Sequence, residues 1–221
     1  YKQRTNDIIA CDECLIQNEE SNSVIQRVKE LFVEYNIKPY DKVTHRGNIK
    51  HILTKKGYHS EEFMLCFITY QKTIKHIDQI VEILIQEFPH IKTIIQNINE
   101  RHDNVILGDE EKILYGKGYI YDTLLDNQYK ISLKSFYQIN PIQVEKLYQT
   151  AIDLAHINQD SVVLDAYCGI GTITLSLAKR VKKVYGVEVV PQAIEDAKNN
   201  ALLNKIDNAE FVCDDARKIY G

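Results

Sequence analysis

VVLDAYCGIGTITLSLAKR, residues 162–180, decides the fold of the second half of this chain. An apolar run ends at Asp165, glycines follow at Gly169 and Gly171, and an apolar-periodic stretch begins at Thr172. This order predicts a strand, a tight turn and a helix. Glycine in such a turn lets a ligand approach backbone that a Cβ atom would shield. The stretch therefore indicates a cofactor site of the nucleotide-binding kind.

A second acidic residue supports this interpretation. Glu188 ends the next apolar run, VYGVEVV, where a carboxylate can accept hydrogen bonds from ribose hydroxyls. The dinucleotide fingerprint G-x-G-x-x-G needs a third glycine before a helix whose N-terminus seats a pyrophosphate. Thr174 stands at the position of that glycine. The sequence therefore disfavours a nicotinamide-dependent oxidoreductase.

The domain organisation follows from how strands and helices alternate. From about residue 135, strand patterns (VVLDAY, KVYGVEVV, AEFVCDD) alternate with helical ones (TITLSLAKR, PQAIEDAKNNALLNK). Such βαβαβ order with short links implies a parallel, right-handed sheet. We expect an α/β protein in two parts: an α+β module over residues 1–134 and a partial, Rossmann-like cofactor-binding domain over residues 135–221.

Three amphipathic helices are predicted, over residues 21–36, 74–88 and 135–157, with Ser21 or Ser23 as the first N-cap. A short strand is predicted for VILG, residues 105–108. The side chains expected to face inward are Val24, Val28, Leu31, Phe32 and Tyr35 in the first helix, Ile77, Ile80, Val81, Leu84 and Ile85 in the second, and Val144, Leu147, Ala151, Leu154 and Ala155 in the third.

Composition excludes some classes of protein. The 221 residues carry a net charge of −4, which argues against a surface coated in positive charge. The chain shows neither an apolar run of membrane-spanning length nor a signal-peptide pattern at its start. Five scattered cysteines do not resemble a secreted disulfide framework. We expect a cytoplasmic protein without a membrane partner; its oligomeric state is left open.

Four segments then occur together and in order: FYQIN at 136–140, DAYCGIGT at 165–172, GVEVVPQAIEDAKNNALLN at 186–204 and CDDAR at 213–217. With them the chain resembles the RNA uracil-5-methyltransferase family, which methylates C5 of a uridine in ribosomal or transfer RNA with S-adenosylmethionine. The resemblance implies an RNA-modifying enzyme, with 23S rRNA favoured as substrate, and the abundance of Ile, Lys and Asn without Trp indicates a bacterial source. A methyltransferase with a nitrogen acceptor and a non-catalytic RNA-binding module are the alternatives.

The resemblance also implies which residues bind the cofactor. Gln138 would pair with the methionine amino or carboxylate group, and Glu188 would accept both ribose hydroxyls. Tyr167 would form an aromatic wall beside the Gly169 turn. Asp215, preferred over Asp214, would hold the adenine amino group.

Catalytic residues are expected to lie outside this chain. In the family, a cysteine thiolate adds to C6 of the uracil and a carboxylate later removes the C5 proton; both groups follow strands beyond Gly221. We therefore expect a fragment that is inactive alone and that lacks N-terminal sequence as well. Cys66, Cys168 and Cys213 are each rejected as the nucleophile, with Cys66 and Cys213 expected to be buried in apolar strands.

The N-terminal part offers two further hypotheses. Cys11 and Cys14 have C-x-x-C spacing, and Cys14 matches a family segment that holds an iron–sulfur cluster in some members. Two cysteines do not complete such a site, so two free thiols are favoured and any cluster is expected only in the full-length protein.

RNA contacts are predicted for basic residues around the first hairpin, which is predicted from two strand patterns, IKHILT at 49–54 and FMLCFITY at 63–70. The primary candidates are Arg46, Lys50 and Lys55, because lysine and arginine contact phosphates and so position RNA. His45 and Lys56 accompany them, and Tyr58 is placed for stacking. Asn97, Asn99 and Arg101 are predicted to form a polar loop that lines an RNA cleft.

Overall fold

The computed structural model describes residues 3–5, 14–15, 17–138 and 140–218. The chain forms two compact units, one of residues 1–56 and 63–118 and the other of residues 57–62 and 119–221. The predicted α/β class is confirmed. Sequence analysis divides the chain near residue 134, whereas this grouping places residues 119–134 with the second unit. Within the described ranges, no helix combines the length and the apolar character needed to cross a bilayer.

The first unit is a four-stranded mixed sheet with two helices. Strand order is β1-β2-β3-β4, with β2 parallel to β3 and the other pairs antiparallel. Its elements are α1 (Glu19–Glu34), β1 (Ile49–Lys56), β2 (Phe63–Thr69), α2 (Ile77–Glu87), β3 (Ile91–Ile98) and β4 (Glu110–Gly116).

The core of this unit lies between the helices and the sheet. All seven residues of β2 are buried, and the inward faces predicted for α1 and α2 pack against the sheet. The N-cap of α1 differs from the prediction: the Asn18 side chain accepts a hydrogen bond from the Glu20 backbone N–H, whereas Ser21 lies inside the helix and is buried. Asn18 satisfies one of the free N–H groups of the first turn.

The prediction of a strand at residues 105–108 is wrong. These residues form part of a loop after β3 that two buried asparagines hold. Asn97 exchanges hydrogen bonds with both backbone groups of Gly108, and Asn99 donates to the carbonyls of Val105 and Ile106. The same contacts contradict the prediction that Asn97 and Asn99 line a cleft, because their side chains are consumed in shaping the loop.

The second unit contains a hairpin and a parallel three-stranded sheet of order β7-β8-β9. The predicted βαβαβ order and parallel pairing are confirmed. Its elements are β5 (Tyr119–Leu124), β6 (Asn127–Ser132), α3 (Pro141–Leu154), β7 (Val162–Asp165), α4 (Thr172–Ala178), β8 (Lys183–Glu188), α5 (Pro191–Leu203) and β9 (Ala209–Cys213), with a 3₁₀ turn at Ala216–Lys218.

Helix α3 differs from its prediction in two respects. It begins at Pro141, after Asn140 caps it, so residues 135–138 of the predicted helix lie outside it. Its buried residues are Val144, Tyr148 and Ile152, whereas Leu147 and Leu154 are 62% and 71% exposed. Tyr148 lies at the centre of the buried face, and its hydroxyl hydrogen-bonds Thr172 at the start of α4.

Candidate functional site

The turn between β7 and α4 has open space above its first glycine. Gly169 and Gly171 both adopt left-handed backbone conformations, with φ of +54° and +87°. A Cβ atom on Gly171 would lie 3.2 Å from the Phe211 ring, whereas one on Gly169 would meet nothing within 4 Å. Gly171 is therefore required by conformation and packing, and Gly169 leaves room that a ligand can enter.

Hydrogen bonds hold this turn in place. The Cys168 N–H donates to the Val187 carbonyl at 3.0 Å and so ties the turn to β8. The Asn200 side chain donates to the Ile170 carbonyl at 3.2 Å. Together these contacts give the turn a fixed shape before any ligand arrives, which lowers the cost of binding.

Glu188 is brought directly against the turn. Its Oε2 accepts from the Gly169 N–H at 3.3 Å, and its Oε1 accepts from the N–H groups of Val189 and Val190 at 2.8 and 3.1 Å. These bonds orient the carboxylate at the carboxyl end of β8, where ligands bind in open α/β sheets. Gly169 and Glu188, which the sequence pointed to separately, are therefore joined by a hydrogen bond in the fold.

Asp165 has a structural position beside this carboxylate. Its Oδ2 accepts from the Thr174 hydroxyl at 2.6 Å. Burial raises the pKa of the Asp165 carboxyl, and the nearby charge of Glu188 raises it further. Asp165 therefore joins the end of β7 to α4.

Tyr167 and Asp215 lie at the same edge of the sheet. Tyr167 is 76% exposed, so its ring is available as a wall. Asp215 follows β9, whose Cys213 pairs in register with Glu188. Arg217 hydrogen-bonds the Asp215 carboxylate and lowers its pKa to about 2, and the Tyr167 hydroxyl contributes to the raised pKa of Arg217.

Gln138 is connected to the start of α4 through the side chain of Tyr148. It is exposed, and its side chain interacts with the Tyr148 hydroxyl, which opposes the rise that burial causes in the pKa of Tyr148. That hydroxyl lies 3.0 Å from the Thr172 hydroxyl at the first residue of α4. The FYQIN segment is therefore linked to the N-terminal end of the helix that follows the cofactor turn.

Two buried aspartates that sequence analysis missed hold Tyr137 of the FYQIN segment and the serines that precede this segment. Asp122 accepts from the Tyr137 hydroxyl at 3.1 Å and from backbone N–H groups of residues 58–60. Asp196 on α5 accepts from the hydroxyls of Ser132 and Ser135, each at 3.0 Å. Asp122 lies outside the motifs, and Asp196 lies within the 186–204 segment, but no local pattern indicates these tertiary contacts.

The cysteines differ in their surroundings. Burial raises the pKa of the Cys66 and Cys168 thiols to about 12, which makes both poor nucleophiles at neutral pH. The expectation that Cys213 is buried is wrong: it is exposed at the end of the edge strand β9.

The metal hypothesis finds little support in the described residues. Cys14 is half-buried, its backbone bonded to the Asn22 side chain, and Cys11 lies outside the described residues. Among the residues that are described, no three His, Cys, Asp or Glu side chains group as a metal site. The donors present therefore do not fit a metal cluster.

The predicted RNA-contact residues are in different environments. Arg46 is exposed, and Lys55 is half-buried on β1 with an interaction inside the protein. Lys50 donates to the carbonyls of Asn99 and Arg101 at 3.1 and 2.6 Å. Lys56, a secondary candidate, pairs with Glu20 at 2.7 Å.

The fold of this chain is similar to that of a solved S-adenosyl-L-homocysteine-bound methyltransferase. The tRNA (uracil-54, C5)-methyltransferase of Pyrococcus abyssi, solved in complex with S-adenosyl-L-homocysteine, aligns with a TM-score of 0.79 and 28% identity. The alignment covers 93% of this chain and 49% of that one.

Sequence comparison gives the family. A protein of Halalkalibacterium halodurans named an uncharacterized RNA methyltransferase is 46% identical over 219 residues, and one of Oceanobacillus iheyensis with the same name is 44% identical over 220. Each alignment covers 99% of this chain and 48% of the relative, so the chain spans about half the length of the curated relatives it matches. The sequence model of the tRNA (uracil-5-)-methyltransferase family matches residues 1–219. The chain belongs to this family, which confirms the resemblance found in its motifs.

Proposed function

We propose that the protein transfers a methyl group from S-adenosylmethionine to C5 of a uridine in structured RNA. The observation that carries this proposal is the edge where the Glu188 carboxylate meets the Gly169 N–H beneath open space. Membership of the family supports uracil C5 as the acceptor. Because the chain spans about half of its relatives, the proposal concerns the activity of the whole protein.

The proposed cofactor contacts follow from the exposed polar groups at this edge. Glu188 accepts hydrogen bonds from the ribose hydroxyls, and Gly169 lets the ligand lie against the backbone. Tyr167 covers one side of the ligand with its ring. Asp215 accepts from the adenine amino group, since its carboxylate is ionised across the neutral range. Gln138, at the end of its link to α4, pairs with the methionine group.

The proposed chemistry needs a thiolate in addition to the cofactor. C5 of uracil is a weak nucleophile until a thiolate adds to C6, after which the C5 carbon can attack an electrophilic methyl. When bound, S-adenosylmethionine supplies that methyl on a sulfonium. A carboxylate base then removes the C5 proton, and the thiolate leaves. Cys66 and Cys168 are un-ionised at neutral pH. The resemblance to the family implies a nucleophile that follows later strands, so we propose that it lies in the part of the relatives' length that this chain does not span.

The first part of the chain, residues 1–134, is proposed to position RNA for the domain of residues 135–221. Arg46 and Lys55 are the candidates for phosphate contacts at the first hairpin. Lys50 would also contact a phosphate, although two of its three N–H groups already donate to backbone carbonyls. Such contacts set the orientation of RNA and carry no sequence information.

Two RNAs are candidate substrates. Sequence analysis favours 23S rRNA, whereas the family model and the archaeal structure are named for tRNA. The test supplies protein from the complete reading frame with labelled S-adenosylmethionine and, separately, 23S rRNA and tRNA transcripts that carry tritium at uridine C5. We expect label to enter one RNA as 5-methyluridine, with one tritium released per methyl group. Methylation at a nitrogen, or RNA binding without transfer, would contradict the proposal and favour one of the alternatives.

An iron–sulfur cluster held in part by Cys14 is a separate proposal for the full-length protein, since the described residues do not supply a ligand set. Iron and acid-labile sulfide analysis of anaerobically purified protein tests it. We expect about four iron atoms per chain for a cluster of the cubane type. Iron-free protein with full activity would contradict it.

A further inference from the structure

A pocket in the first unit has no role in the cofactor site. It has an empty volume of ≈ 210 Å³ and lies between residues 40–50 and the loop after β3. Its lining includes Tyr40, Lys42, His45, Lys50, Arg101 and His102, with Asp103 as the one acid. Three cations against one carboxylate make it an electropositive site in a protein whose net charge is −4.

The first loop of this pocket has a fixed shape. Asp41 Oδ1 accepts from the N–H groups of Val43 and Thr44 at 2.9 and 2.6 Å, so this carboxylate is engaged within its own loop. Gly47 has φ of +87°, and a Cβ atom there would lie 1.9 Å from the Pro39 carbonyl oxygen. The loop is therefore built before a ligand binds, as a specific site requires.

The second loop is fixed by the Lys50 amine. Its Nζ donates to the carbonyls of Asn99 and Arg101, which leaves one of its three N–H bonds for another acceptor. Burial lowers the pKa of Lys50, and the charge of Lys42 lowers it further, against the opposing effect of Asp103. An anion in the pocket would relieve this repulsion between the two lysines.

Imidazole and phenol groups form one wall. The Tyr40 hydroxyl lies 2.6 Å from Nδ1 of His45 and 3.3 Å from Nδ1 of His102. The two imidazoles pack edge to face at 4.4 Å, and Tyr40 lies against Tyr70 at 4.7 Å. These rings already pack against one another, so they are poorly placed to stack on a nucleobase. The hydrogen-bond donors around them favour an oxyanion instead. Hydrogen bonds through Nδ1 also leave Nε2 of each imidazole for a ligand.

From this arrangement we infer that the pocket binds a backbone phosphate of the RNA substrate. Lys42, the remaining N–H of Lys50 and the two imidazoles supply the contacts. Arg101 adds positive charge while Asp103, 2.9 Å from its Nε, orients its guanidinium. The inference rests on the proposed function for its choice of RNA over other phosphate sources. It extends that proposal, because it adds Lys42 and His102 to the residues predicted to contact RNA and joins them with His45, Lys50 and Arg101 in one phosphate site.

The test measures binding of a labelled tRNA transcript to protein from the complete reading frame at several salt concentrations. Each lost phosphate contact lowers the slope of log K against log salt by about 0.7 to 0.9. We expect Lys42→Ala to lower the slope by about that amount and to weaken binding several-fold, equally for RNAs of different sequence. His102→Ala should weaken binding without moving the unfolding midpoint. Lys50 is not the test residue, because it also holds the loop.

Lys92→Ala is the matched control. It removes a positive charge from the same unit but lies near the start of β3, roughly 20 Å along the strand from Asn99. We expect its salt slope and affinity to equal those of the wild type. A Lys42→Ala slope that also equals the wild type would overturn the inference.

Two further outcomes separate this inference from the proposed function. If Lys42→Ala lowers the slope but the wild-type protein transfers no methyl group, the phosphate site stands and the proposed function fails. If the wild type methylates RNA but Lys42→Ala and Lys92→Ala bind it equally, the function stands and the site fails. Competition by inorganic phosphate with no change of RNA slope in Lys42→Ala would show a free-anion site, which also overturns the inference.

Discussion

The central strand of the first unit and the first parallel strand of the second are buried to different extents. Every residue of β2 is buried, whereas β7 leaves Val162 and Leu164 61% and 36% exposed. In the first unit this fully buried strand packs in a core that the sheet shares with α1 and α2. In the second, the polar groups at the strand ends are the distinctive feature, as at Glu188 and Asp215. We therefore expect substitutions in β2 to change stability and substitutions at the ends of β7–β9 to change ligand binding.

The largest expected effect is on packing in β2. Phe67 is fully buried and packs against Phe32 of α1, with ring centroids 5.3 Å apart. We expect Phe67→Ala to lower the free energy of unfolding by about 3–5 kcal/mol, measured by chemical denaturation. Val33→Ala, at an 81% exposed position of α1, is the control and should cost less than about 0.5 kcal/mol. A cost for Phe67→Ala as small as that of the control would refute the contrast between the two strands.

A smaller effect, on ligand binding rather than stability, is expected at the end of β8. Glu188→Gln keeps one oxygen for the backbone N–H groups but removes the charge that accepts from ribose hydroxyls. We expect the affinity for S-adenosylhomocysteine to fall about 10- to 100-fold, since hydrogen bonds to charged groups contribute about 1.5–3 kcal/mol. Calorimetric titration measures this change.

Glu195→Gln on the exposed side of α5 is the control for Glu188→Gln. It removes the same charge from the same unit and should leave the affinity unchanged. Equal affinities for the two variants would exclude Glu188 from the cofactor site.

Substitutions of the two glycines in the cofactor turn should have different effects on stability and on ligand binding. Alanine at either position costs about 1–2 kcal/mol, because both are left-handed. Gly171→Ala also presses against Phe211, so it should lower the unfolding midpoint more than Gly169→Ala does. Gly169→Ala places its methyl group in the open space and should lose more S-adenosylhomocysteine affinity. Thermal unfolding and calorimetry of both variants measure the two effects, and the opposite ranking would contradict this account.

The smallest effect concerns pH. Arg217 holds the pKa of Asp215 at about 2, below its ordinary value of 3.8. The contribution of this ion pair is therefore complete above about pH 4 and is lost as the pH falls through about 2. We expect the Asp215 carboxyl signal in a carbon-13 NMR titration to stay constant from pH 8 to 4, and Arg217→Ala to move its midpoint up towards 3.8. A wild-type midpoint above pH 4 would rule out this pairing.

The sequence predicted the strands, the turn and the helix face that lie in local patterns, whereas the roles of the site residues stay a prediction. Asp165, Gly169 and Glu188 follow apolar runs whose period predicts strands, and parallel pairing then brings strand ends to one edge. The spacing of Val24, Val28 and Leu31 likewise predicted a helix face. These inferences succeeded because each depends on residues near one another in the chain.

Other features depend on distant residues and could not be predicted. Asp122 holds Tyr137 through a tertiary contact, and no local signal distinguishes it from a surface acid. The apolar spacing of α3 suggested that Leu147 faces inward. The buried face instead contains Tyr148, whose hydroxyl hydrogen-bonds the distant Thr172. The VILG run has the composition of a strand, yet Asn97 and Asn99 bind its backbone carbonyls and hold it as a loop.

A crystal structure of the protein with S-adenosylhomocysteine tests the central claim most directly. The account predicts both ribose hydroxyls within hydrogen-bonding distance of the Glu188 carboxylate and the ligand lying over Gly169. It also predicts the Tyr167 ring beside the ligand and the adenine amino group at Asp215. A ligand bound elsewhere, or a Glu188 carboxylate without contact to the ribose, would contradict the account.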